Sequence, residues 1–167
     1  MIPAAWAQSI WLLVDTQNQE LRVIQGERTV ARFEGISLGR GGVDQLHRRG
    51  DQKTPLGVYH VTWINNHSRF YRFIGLDYPT LMHAKLAYMG NLIDVQTFDD
   101  IDLAVRHGRL PPQNTPLGGN LGIHGIGSGD SQIHSAYNWT EGCVALTNMQ
   151  MDKLLQFVSL GTKVVIQ

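Results

Sequence analysis

A chain of 167 residues is long enough for one domain with a full hydrophobic core and short for two. A hydrophobic share of 43% and a charged share of 17% exclude a disordered chain, and fourteen basic against fourteen acidic residues leave no single-sign field to draw nucleic acid or an anionic membrane. The single cysteine excludes an internal disulfide, no Cys/His group has zinc-ligand spacing, and no stretch reaches the length of a membrane span.

At the start, Ala5-Trp6-Ala7 has the small-x-small spacing of a signal cleavage site, although Met1 to Ala4 supply neither a basic region nor a long apolar one. Residues 1–9 therefore read as an export-signal remnant or a flexible N-terminus. Residues 10–14, 21–24 and 29–33 are apolar or alternating runs separated by polar turns, which predicts an antiparallel meander. A glycine-rich polar loop begins at Gly39, and another strand is expected over 57–64. Short helices are predicted over 80–89 and 99–107, the second ending at Gly108, with Pro111, Pro112 and Pro116 barring continuation. Strands return at 121–124 and 143–146.

Thr147 and Gln150 then have capping-box spacing, and Met151, Leu154, Leu155 and Val158 follow at helical intervals up to Gly161, placed for a left-handed C-terminal cap. Met149 and Met151 read as helix packing. A last strand is expected over 163–166. The sum is one mainly β, α+β domain over residues 1–167, sandwich-like, with a few short helices and a closing helix and strand.

Chemistry concentrates at two strand ends. Cys143 follows a glycine in Thr140-Glu141-Gly142-Cys143-Val144, and His124 ends the apolar run Leu121-Gly122-Ile123 before Gly125. A lone cysteine is most often a buried packing residue. A second reading stands beside that one. A thiol attacks as thiolate, which an adjacent imidazole generates by taking its proton, and Gly142 permits a tight turn that frees amide N–H groups for a developing oxyanion. The imidazole tautomer must be held through its other nitrogen, for which a backbone carbonyl near Gly125 suffices. The polar segment 126–131 is expected to loop out and let the two strand ends meet. His47, His60, His67, His83 and His107 lack motif support.

These residues resemble the L,D-transpeptidase catalytic domain, the YkuD family. Its Ile-His-Gly strand end is Ile123-His124-Gly125 here, and its Ser/Thr-His-Gly-Cys turn is matched by Thr140-Glu141-Gly142-Cys143. Asp51-Gln52-Lys53-Thr54-Pro55-Leu56-Gly57-Val58-Tyr59 matches its Asp-x-Lys-Thr-Pro-x-Gly-x-Tyr segment, and Pro116-Leu117-Gly118-Gly119 precedes the histidine strand as expected. The chain departs from the pattern at Glu141, where a histidine is usual, and at Ala145, where an arginine is common. Trp139 to Leu146 is similar to a periplasmic Gram-negative branch with Trp-Thr-x-Gly-Cys.

The resemblance implies a cysteine-dependent acyltransferase of the cell envelope, expected in the periplasm, that acts on peptidoglycan stem peptides in wall biosynthesis and cell shape. Cys143 would be the nucleophile, His124 the base, and the N–H groups of Gly142 and Cys143 the oxyanion donors, with Gly125 in backbone support. Trp139, Tyr137, Thr140 and Glu141, with His134, would line the substrate groove, and no cofactor or metal is implied. Arg40, Arg48 and Arg49 read as solvated loop cations, with contact to substrate carboxylates as the sharper alternative. Two other functions stay open at this point: an L,D-carboxypeptidase or amidase that passes the same thioester to water, and a non-catalytic wall-binding domain.

Overall fold

The computed structural model describes residues 9–167, so the expectation for the N-terminus lies outside the described residues. The predicted meander is present as β1 (Ile10–Asp15), β2 (Glu20–Gln25) and β3 (Arg28–Glu34), each antiparallel to the next. The first turn is set locally, the Asp15 carboxylate accepting the N–H groups of Gln17 and Asn18 at 3.1 and 3.0 Å. Leu12, Leu13 and Val14 are buried in succession, as in a strand covered on both faces.

The sheet continues through β10 (Lys163–Ile166), parallel to β1 and antiparallel to β6 (Gly57–Ser68). β6 joins the two halves of the sheet. Its residues 57–60 pair with β10, and from Val61 onward it pairs with β7 (Tyr71–Leu76), with register shifts between Val61 and Trp63 and between Asn65 and Ser68. β7 is antiparallel to β8 (Gly122–His124), and β8 is parallel to β9 (Val144–Ala145). The order of this mixed eight-stranded sheet is β3-β2-β1-β10-β6-β7-β8-β9, and β4 (Val43–Asp44) and β5 (Thr54–Pro55) form a separate parallel pair. One continuous core, including Leu12, Val23, Tyr59, Ile74, Ile123 and Val164, runs under both halves.

The helices depart from expectation in three places. α1 (Leu81–Met89) lies where predicted, but α2 (Val95–Arg106) begins before residue 99, because the Asp94 carboxylate accepts the Thr97 N–H at 2.8 Å as an N-cap. α3 (Ser131–Ala136) fills part of the stretch between His124 and Cys143, capped by Asp130. α4 (Asn148–Leu154) has the expected box, Thr147 and Gln150 each satisfying the other's backbone N–H at 3.2 and 2.9 Å. It ends at Leu154, however, and leaves Val158 outside. Gly161, at φ +87°, serves the turn into β10 rather than the helix end.

Candidate active site

The thiol and the imidazole come together through strand pairing. β8 and β9 align Ile123 with Val144 and His124 with Ala145. Cys143, one step before β9, is thus level with Gly122, two residues from His124, and side chains two apart share a face. Both residues border one groove of about 870 Å³. Cys143 is half-buried, and its thiol donates to the Asn120 carbonyl at 3.7 Å.

His124 is 2% exposed and held from every side. Its Nδ1–H donates to the Gly125 carbonyl at 2.7 Å, which fixes the tautomer and leaves Nε2 as the acceptor. Phe70 stacks on the ring at 4.2 Å between centroids, Phe73 lies nearly parallel at 5.8 Å, and Trp139 meets it edge-on at 5.8 Å. Burial in this aromatic box, against the hydrogen bond to Gly125 and with the charges of Arg69 and His134 acting in the same direction as burial, lowers the imidazole to about 4. Gly125 has no room for a side chain: a Cβ would stand 2.6 Å from Asn148 Oδ1 and 2.8 Å from the Phe70 carbonyl.

Burial also pushes the Cys143 thiol up to about 12. A backbone hydrogen bond from Gly122 opposes this, and the Glu141 carboxylate adds to it. Both the thiol and the imidazole that border this groove are thus held in their neutral forms.

The turn before Cys143 is pinned by Thr140, whose hydroxyl donates to the Cys143 carbonyl at 2.6 Å and accepts the Gly142 N–H at 3.1 Å. This corrects one expectation. The Gly142 N–H is already engaged and is not free for an oxyanion, whereas the Cys143 N–H has no partner among the described residues. Gly142 is required for another reason, since at φ +133° a Cβ would lie 2.7 Å from the Lys53 carbonyl and 3.1 Å from the His47 ring.

Trp139, Thr140 and Glu141 border the groove; Tyr137 does not, its side chain being exposed at the end of α3. His134 is also outside the groove, buried behind Trp139, whose indole N–H donates to its Nδ1 at 3.2 Å. Arg40 and Arg49 border the groove and Arg48 does not.

Sequence reasoning missed His47, Arg69 and Phe70. His47 lies between Gly142 and the groove residue Gly118, with Nδ1–H shared by the Lys53 carbonyl at 2.8 Å and the Asp51 carboxylate at 3.0 Å. Both partners are acceptors, so that nitrogen carries the proton. The only signal was its place just before the Asp-x-Lys-Thr-Pro segment. Among the described residues no three His, Cys, Asp or Glu side chains converge as a metal site.

The comparisons with known proteins agree with this architecture. None of the curated protein sequences compared with the chain matches it. Among solved structures it is similar to the helical cell shape determining protein Pgp2 from Campylobacter jejuni (TM-score 0.64, 21% identity, 95% of this chain and 47% of that one). It is also similar to Bd1075 from Bdellovibrio bacteriovorus (0.61, 18%, 98% and 50%) and to an L,D-transpeptidase from Xylanimonas cellulosilytica (0.54, 16%, 99% and 63%). The chain spans about half the length of the first two of these proteins, and at such identities the likeness concerns the fold. The family profile of the L,D-transpeptidase catalytic domain matches residues 9–166, nearly the whole chain. The chain belongs to the L,D-transpeptidase catalytic domain, or YkuD, family.

Proposed function

We propose that the chain is a cysteine acyltransferase acting on peptidoglycan stem peptides at the cell envelope. The observation that carries this reading is the placement of a thiol and an imidazole on one face of the β8–β9 pair, both bordering one groove. Cys143 Sγ attacks the carbonyl carbon of an L-centre in the stem peptide while its proton passes to His124 Nε2. The carbonyl π pair moves to oxygen, which the Cys143 N–H receives. The tetrahedral centre then collapses to a thioester, the C–N bond breaks, and the imidazolium returns its proton to the departing amine. A second amine, from another stem, a lipoprotein lysine or a D-amino acid, loses its proton to the same imidazole and attacks the thioester, and the thiol is restored. Water in place of that amine gives a carboxypeptidase or amidase.

The test is to incubate the protein and its Cys143→Ala variant with tetrapeptide-bearing muropeptides and follow products by mass spectrometry. Crosslinked or amino-acid-exchanged products from the wild type alone are expected. Tripeptide alone identifies the acceptor as water. Absence of both products, together with no acyl adduct from a carbapenem, overturns the enzyme reading.

A further inference from the structure

Cys143 and His124 fix which groups react, but not what flanks the scissile bond. The charges of the groove bear on that. Three arginines border it, Arg40, Arg49 and Arg69, against one acidic residue, Glu141. None of the three pairs with a carboxylate among the described residues, and the Arg49 side chain reaches only the Thr115 carbonyl, at 3.2 Å. Elsewhere Arg22, Arg32, Arg72 and Arg106 each hold a carboxylate. The groove therefore concentrates uncompensated positive charge, which draws an anionic ligand.

The three are not equivalently placed. Arg40 is tied by its backbone to Thr140, at the turn of the nucleophile, and Arg49 to Pro116. Arg69 sits on the other side, at the tip of the β6–β7 hairpin. Its guanidinium lies 4.7 Å from the centroid of the Phe70 ring, and that ring is stacked on His124. Arg69 is thus the cation on the side of the base.

The base is also the group that hands a proton to the departing amine. When that amine belongs to a terminal amino acid, its carboxylate is joined to it through one carbon and arrives beside the imidazole. When the amine belongs to a crosslink or a side chain, no carboxylate need stand there. We infer that Arg69 binds the α-carboxylate of the departing amino acid, so that the groove selects the C-terminal peptide bond of an anionic stem peptide. The inference rests on the acyl-transfer reading and deepens it by naming the residue that chooses the bond. A carboxylate laid on Arg69 also offsets a charge that opposes protonation of His124 as the thiol gives up its proton. Charge-assisted hydrogen bonds to a carboxylate are strong enough to discriminate by about 10- to 100-fold.

The experiment compares two forms of one tetrapeptide with a C-terminal D-alanine, the free acid and the carboxamide, as substrates for the wild type, Arg69→Gln and Arg69→Lys. The wild type is expected to favour the free acid by about 10- to 100-fold in kcat/KM. Arg69→Gln is expected to lose that preference, its kcat/KM falling more on the free acid than on the carboxamide so that the ratio between the two approaches one, and Arg69→Lys to recover part of it. No preference in the wild type, an undiminished preference in Arg69→Gln, or an equal loss on both peptides overturns the inference and leaves acyl transfer standing. Turnover of neither peptide by the wild type, with no acyl adduct, overturns the acyl-transfer reading and the inference with it.

Discussion

The thiol of Cys143 and the imidazole of His124 are neutral for the same reason, the burial that brings them together. The proposed acyl transfer requires His124 unprotonated, and the unprotonated fraction rises with pH through about 4 rather than through the 6.5 of an exposed histidine. The kcat/KM profile is therefore expected to be flat from pH 6 to 9 with an acid limb near 4, and a limb near 6.5 would show that the box around the ring is open to water. Glu141 adds to burial at the sulfur, its carboxylate raising the thiol further. Glu141→Gln is expected to speed alkylation of Cys143 by iodoacetamide at pH 8 by about two- to fivefold, an effect that fades with salt because Glu141 is exposed. Cys143 and His124 drew attention in the chain because a lone thiol and a strand-end imidazole are types suited to acyl transfer, and strand pairing sets both beside one groove. The Gly142 N–H was misread because spacing cannot show where the Thr140 hydroxyl points, and Arg69 was invisible because an arginine in a hairpin turn has no signature until Phe70 is seen stacked on His124.

The elements that build the site differ in how well the chain announces them. β1 to β3 show as apolar runs between polar turns, and α4 shows as a capping box followed by helical spacing. β7 was not anticipated, since its inner positions include Gly75, against which the Trp63 ring packs in place of a side chain. α3 has no period to read. Its one aliphatic residue longer than alanine, Ile133, is exposed, and the helix is held by Asp130 at its start and by the Ser37 hydroxyl, which donates to the His134 and Tyr137 carbonyls at 2.9 Å. The β6–β7 hairpin matters most to chemistry, because its tip supplies Phe70. Phe70→Ala removes the ring that excludes water from His124, so the imidazole should move up from about 4 toward 6.5 and carry the acid limb with it. The loss of stability should be only ~1–2 kcal/mol, since Phe70 is partly exposed. A pH profile unchanged in Phe70→Ala would assign the depression to the surrounding strands instead.

Across the whole molecule, balanced formal charge conceals a pH-dependent fold. His83, His124 and His134 are all held below the ordinary histidine value, burial being the first cause at each. The unfolded chain takes up protons at these positions near pH 6.5, while the folded chain does so only at lower pH. Between those limits the unfolded state binds more protons, so stability is complete above about pH 6.5 and is lost as pH falls toward 4. For His124 the depression from 6.5 to about 4 amounts to ~3 kcal/mol, and for a chain of this size each kcal/mol moves the thermal midpoint by about 2–4 °C. His124 alone should therefore lower the midpoint by about 6–12 °C between pH 7 and pH 4, with His83 and His134 acting in the same direction. His124→Gln cannot gain that proton in either state, so its midpoint should fall less steeply with acid even if it starts lower at pH 7. Scanning calorimetry of both proteins from pH 7 to 4 measures the difference, and parallel curves would mean that His124 is solvated in the folded chain, contrary to its place between Phe70, Phe73 and Trp139.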